Sequence, residues 1–377
     1  MAEKTKSRRN GRIELLRFVF AFIVLLHHSR YLLGDDNCYF LGGSLGVEFF
    51  FIVSGYLMMN SVDRIVASKS YNTIPVDKNL ANETVSFIKK KIRAVLPQFP
   101  IAWFIGLIAV IILNHMTFRQ ALVEFVQDFW ELALLKMTGI FYGGLDGVIW
   151  YISSMLICMT ILYPLLRKFP HMMRKIWCPL IALMLLGSMC IVDGHPRNPA
   201  KIYGFIFKGN LRAFAELCIG IWSFDIVRKI RNVNWTPIAK IIFEIMQLAG
   251  YLVAIIYMYY DTPGKYDYFF LMVMTISIML SFAQVGIMSD IYNNRFCMVL
   301  GRFSTAMYFS HIYYAQNLNM ILSDSLSKQE KTLIYVACSF VTAFVVEVLA
   351  LLYKKVSPTI MRGLKAILVD SKNEKDN

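Results

Sequence analysis

Arg17, His28, Glu48, Arg212, Glu216 and His311 all stand inside stretches of this sequence that are otherwise apolar. An imidazole with a carboxylate beside it is the working arrangement of a general base, because the carboxylate orients the ring and raises its basicity. A guanidinium, a second imidazole or a hydroxyl such as Ser153 can steady a developing oxyanion. If the apolar stretches cross a bilayer, each ionisable group costs at least about 2.5–3.5 kcal/mol at mid-depth, so each needs a reason to be there. Structural alternatives stand beside the chemical ones. Arg212 and Glu216, one turn apart, could be a plain ion pair, and a lone His in a span is often a satisfied core group.

A second set is purely basic. Arg17 lies one turn into the first apolar stretch, and Lys89-Lys90-Lys91-Ile92-Arg93 precedes the third. On a helix Lys89 and Arg93 share a side. Together these residues would make a cationic mouth suited to phosphates. The ordinary alternatives are positive-inside anchoring for the lysines and snorkelling to the surface for Arg17.

The positioning elements follow from composition. Of 377 residues, 57% are hydrophobic and 17% charged, with a mean hydropathy of +0.52. Soluble domains carry about 25% charged residues, so the chain belongs to the membrane class. Apolar stretches predict helical spans near 13–33, 44–62, 94–115, 148–166, 176–193, 211–227, 238–260, 267–286, 296–318 and 331–353. Residues 118–138 instead read as an amphipathic helix lying at the interface, with Glu124, Asp128 and Glu131 on one face. The first span follows a basic start without a small-residue cleavage site, so it reads as a retained anchor.

With a cytoplasmic N-terminus, most of the 39 Lys and Arg fall in the inside segments, and an even number of spans places both termini inside. His28, Glu48, Trp150, Ser153, Ser154, Arg212, Glu216 and His311 then share one layer near the outer face. The formal charge of +14 clusters at span ends, which points to anionic lipid and away from nucleic acid. The seven cysteines show no metal-ligand spacing, and no metal site is expected.

At these same positions the sequence resembles the acyltransferase-3 family of integral membrane acyltransferases. The resemblance rests on Arg12-Ile13-Glu14-Leu15-Leu16-Arg17 continuing to His28, and on Gly46-Val47-Glu48-Phe49-Phe50-Phe51-Ile52-Val53-Ser54-Gly55-Tyr56-Leu57. Weaker echoes follow in Trp150-Tyr151-Ile152-Ser153, in Leu211-Arg212-Ala213-Phe214-Ala215-Glu216 leading to Gly220, and in Met307-Tyr308-Phe309-Ser310-His311. The resemblance implies a ten-helix bundle that moves an acyl group, usually acetyl, from cytoplasmic acyl-CoA to a hydroxyl of a surface or lipid-linked glycan. It places the catalytic His at His28 and the span-one Arg at Arg17. The family's Arg-x-x-x-Arg before span three is met here by Lys89 and Arg93 leading to Pro97, with Lys in the first position. Lys lacks the bidentate fork of Arg.

The expectations are therefore these. The fold is all-α and polytopic, with a basic N-terminus (1–12), a transmembrane acyltransferase domain (13–353) and a charged tail (354–377), seated in the cell membrane. His28 acts as base or acyl carrier and Glu48 orients it. Arg17, Lys89, Lys90 and Arg93 hold acetyl-CoA, a donor substrate rather than a resident cofactor. Ser153, Arg212, Glu216 and His311 line the acceptor or oxyanion site. Partners are acyl-CoA, a glycan acceptor and membrane lipid, with no nucleic acid. Buried His, Glu and Arg also suit a glycan or solute transporter, or a subunit of a glycan-synthesis complex.

Overall fold

The computed structural model describes residues 9–67, 76–140, 144–260 and 263–373. Helices follow the apolar stretches: α1 (Gly11–His28) with its short continuation α2 (Arg30–Leu33), α3 (Gly46–Val66), α4 (Val76–Val95), α5 (Phe99–Leu113), α6 (Phe118–Asp128) and α7 (Trp150–Lys168). Next come α8 (Pro170–Met172), joined by a π-helical turn at Met173–Trp177 to α9 (Cys178–Asp193), then α10 (Lys208–Arg231) and α11 (Pro237–Tyr260). The chain ends with α12 (Tyr266–Ala283), α13 (Arg295–Asn317) and α14 (Lys328–Asn373). A two-residue antiparallel ribbon, β1 (Ile202–Tyr203) with β2 (Ile206–Phe207), interrupts the loop before α10.

The expected all-α polytopic bundle is the architecture found. Among the described residues seven rods are long and apolar enough to cross a bilayer alone, and α4 with α5, bent by 42°, count as an eighth if the bent pair is one span. Pro97 and Pro100 flank that bend, where a missing N–H and a restricted preceding residue break the helix. α10 and α13 are as long, at 24 and 23 residues, but more polar. Their polarity is tolerable because other helices surround them. α14 continues to Asn373 instead of ending near 353, and residues 1–8 of the basic N-terminus lie outside the described residues. α6, at 11 residues, is about 17 Å long, too short to span. Its apolar Phe118, Leu122 and Val126 are exposed, whereas Asp128 and the following Glu131 turn into the protein.

Burial separates centre from rim. In α3, 72% of the most apolar stretch is buried, against 17% in α9. At the centre α1 packs along α13 and α3 along α10, and this quartet carries His28, His311, Glu48, Arg212 and Glu216. Arg12 clamps the start of α1 to α11: it is buried with Glu244 at 2.8 Å and Gln247 at 2.6 Å, beneath the Tyr292 ring. Arg167 does the same between α7 and α4 through Glu83 at 2.7 Å.

The α3–α10 contact explains one residue of the motif around Glu48. A Cβ on Gly55 would collide with the Leu217 backbone, and one on Gly220 with the Ile52 carbonyl. The two helices touch backbone to backbone, as small residues permit in membrane bundles. Gly55→Val should therefore force α3 and α10 apart and lower stability by about 1–3 kcal/mol or more. A drop in apparent Tm in detergent would register this, and an unchanged melting curve would contradict it.

Candidate active site

α1 begins with Asn10, whose side chain accepts from the Arg12 and Ile13 amides at 3.1 and 3.3 Å. It stops just past His28, where Ser29 turns its hydroxyl onto the Leu26 carbonyl at 2.6 Å. The two adjacent imidazoles therefore sit at a helix end and part company. His27 is buried and structural: its Nδ1–H donates to the Phe40 carbonyl at 2.8 Å, and its Nε2 accepts from Arg30 at 3.3 Å. His28 faces a cavity of about 620 Å³, stacked against the Tyr31 ring.

The partner of His28 is His311 on α13, with His311 Nε2 and His28 Nδ1 3.0 Å apart. The tautomers follow by elimination. His311 Nδ1 lies 3.2 Å from the Met307 carbonyl, which can only accept, so that nitrogen carries a hydrogen. A neutral His311 then offers its Nε2 lone pair, and His28 Nδ1 must donate to it. That leaves His28 Nε2 with the lone pair, on a ring that also meets the Val24 backbone and lines the cavity. Glu48 does not perform the orienting role expected of it.

Glu48 instead joins Arg212. The guanidinium reaches Glu216 Oε1 through Nε at 2.9 Å, and Glu48 Oε1 and the Ser44 carbonyl through Nη2 at 3.2 and 3.3 Å. All three side chains are buried, and the Trp150 ring lies 5.9 Å from the guanidinium carbon. Arg212 nevertheless lines the same cavity as His28. Ser153 is buried and its Oγ accepts the Met137 amide at 2.9 Å. It serves as a stitch between α7 and the loop before it and is not aimed at a reacting atom. Ser154 is likewise taken up, donating to Asn210 at 2.8 Å.

Sequence reasoning missed several cavity residues. Lys136, Arg197 and His195 line it, brought there by loops. Lys136 is held by Glu131 at 3.2 Å and by the Asp146 carbonyl at 3.1 Å, and Glu131 also accepts from Trp103 at 3.1 Å and the Asp146 amide at 2.8 Å. Arg197 makes a two-pronged pair with Asp267, its Nε at 2.7 Å from Oδ2 and its Nη2 on Oδ1. Burial, and then the Lys208 ammonium, lower the His195 pKa. The signal for Lys136 was present in the inward turn of the acidic face of 118–138; nothing local marked Arg197.

At the opposite end, Arg17 is half-exposed, bonded to Glu14 at 3.2 Å and Thr305 at 3.4 Å. Lys89, Lys90 and Arg93 are exposed. Lys91, about 200° round the helix from Lys89, is the partly buried member of the run and lies close enough to Arg17 for their charges to repel. Among the described residues, the cavity that His28 lines does not include Arg17. Eleven residues of α1 place Arg17 about 16 Å from His28. Below His311 the Tyr308 ring packs against it at 6.0 Å and against Tyr151 at 6.0 Å, and Tyr151 packs against Phe51 at 4.6 Å.

A family model described as an acyltransferase domain, that of the acyltransferase-3 family, matches residues 10–352. The chain belongs to this family. Acyltransferase-3 membership covers nearly the whole chain, including both ends of α1 and the α13 histidine, and makes the protein a multi-pass membrane acyltransferase. It also selects catalysis over the transporter alternative. No curated protein and no solved structure matches the chain.

The Arg212 cluster makes a clear prediction. Two carboxylates share one guanidinium, so Glu48→Gln removes surplus negative charge and should leave Tm unchanged or raised. Arg212→Ala strands both carboxylates and should cost about 3–5 kcal/mol. Thermal unfolding of the two variants in the same detergent distinguishes them; equal losses would refute the assignment.

Proposed function

We propose that this acyltransferase moves an acyl group, usually acetyl in the family, from acyl-CoA at the Arg17 end to a hydroxyl of a cell-surface or lipid-linked saccharide in the outer cavity. The observation that carries the reading is His28, with Nδ1 fixed by His311 and the lone pair left on Nε2 of a ring that lines the cavity. The acceptor O–H gives its proton to His28 Nε2 while its oxygen attacks the thioester carbonyl. The resulting oxyanion is steadied by Arg212 or Lys136 at the wall. Collapse breaks the C–S bond, and the thiolate takes the proton back from the imidazolium, giving an ester and free CoA. A two-step variant passes the acyl group through His28 itself.

Arg17 with Lys91 is the better-placed pair for the coenzyme A phosphates, since Lys89, Lys90 and Arg93 point outward. The pantetheine arm must then cover about 16 Å, roughly half of a bilayer core.

The deciding experiment incubates purified protein in lipid with radiolabelled acetyl-CoA and candidate glycans. His28→Ala should fold normally yet lose about 10²–10⁴-fold in label transfer, and full retained activity would sink the assignment. Lys91→Ala should raise the KM for acetyl-CoA about tenfold, the loss of one charged contact, with Lys89→Ala changing it little. The reverse order would return the donor site to the exposed face of α4.

A further inference from the structure

The outer cavity has a one-sided charge pattern. Its lining includes the cationic side chains of Arg30, Lys136, Arg197 and Arg212, together with the His195 ring and His28, and no carboxylate among the described residues. Each cation does have an acidic partner, but the partner lies behind it. Asp267 is buried behind Arg197, Glu131 behind Lys136, and Glu48 with Glu216 behind Arg212. Asp35, on Arg30 at 2.7 Å, is exposed. Each pair thus presents its positive end inward. A charge in the cavity stands nearer to the cations than to the carboxylates, and Coulomb attraction falls with distance, so an anion is favoured and a cation excluded.

Two further observations point to a ligand. Arg212 spends Nε and Nη2 on its carboxylates and the Ser44 carbonyl. Its Nη1 has no hydrogen-bond partner among the described residues and is not a buried orphan, so it opens on the cavity. His195 Nδ1 is buried with no partner among the described residues. The buried carboxylates also fix the cationic heads in advance, so an arriving anion finds donors already aimed.

We propose that the acceptor carries an anionic group, a carboxylate or phosphate oxyanion, seated among Lys136, Arg197, Arg212 and His195 while its hydroxyl meets His28. This rests on the acyl-transfer reading and deepens it: the substrate class is an acidic saccharide, a uronic acid or a sugar phosphate, rather than a neutral one. The loop carrying His195 and Arg197 then determines specificity, since charge-assisted hydrogen bonds from Arg and Lys are the strong ones.

The test measures binding separately from chemistry. Full-length protein in lipid nanodiscs is titrated with glucuronic acid, glucose 1-phosphate, glucose and CoA, at low and high salt. At least one acidic sugar should bind about tenfold or more tighter than glucose, losing much of that margin at high salt. Which of the two wins identifies carboxylate or phosphate. Two charge-neutral pairs keep the packing while removing the field: Arg197→Gln with Asp267→Asn, and Lys136→Met with Glu131→Gln. Either should abolish the preference while leaving CoA affinity unchanged. Equal binding of glucose, or a preference that survives in both paired variants, would overturn the proposal. So would competition between CoA and the acidic sugar, which would make the cavity the donor's phosphate site. His28→Ala separates the two readings: it should retain the acidic-sugar preference though it transfers no label. Were acetyl transfer absent from the unaltered protein while that preference persisted, the acyl-transfer reading would fail and the anion site would stand.

Discussion

In a bundle with little water around it, Arg212 stays charged only because carboxylates from two helices reach it. Glu216 comes from its own helix, one turn on, and Glu48 from the neighbouring α3. The guanidinium has a planar fork of donors, so it can satisfy both and still present an edge to the cavity. A lysine could offer neither the geometry nor the spare donor. This interaction decides which faces of α3 and α10 meet, and so where the cavity wall runs. It also explains why α10 is too polar to look like a membrane span on its own: its polarity is spent inside the protein.

The His28 imidazole is held differently. His28 is oriented by another imidazole and not by a carboxylate, and that partner is fixed in turn by a main-chain carbonyl of α13. A carboxylate partner would stabilise a charged ring at rest. A neutral imidazole gives direction without that charge. The neighbouring His27 shows how strongly local structure sorts identical side chains: one residue earlier, it is consumed in anchoring the loop to Phe40.

Much of this was legible in the sequence, and the limits have a physical cause. Apolar length fixed the rods, and the 1.5 Å rise along a helix correctly placed His28, Glu48, Arg212, Glu216 and His311 in one layer. Depth along a helix does not give rotation about it. Hence Glu48 was matched to His28 when it faces Arg212, and Ser153 was offered as an oxyanion donor when it faces the Met137 amide. Likewise spacing pairs Lys89 with Arg93 on one face, which is exposed, and does not show that Lys91 is the partly buried lysine of the run. Residues delivered by loops, Lys136 and Arg197, were least legible, because their positions depend on tertiary pairs with Glu131 and Asp267 that no local spacing encodes.

The contact of Gly55 with α10 has a mechanical consequence. Two helices in backbone contact, pinned again by Arg212, behave as one rigid stator. Sliding either helix along the other would have to break the backbone contact and the ion pair together, so any change of shape in the bundle is left to the helices outside this pair.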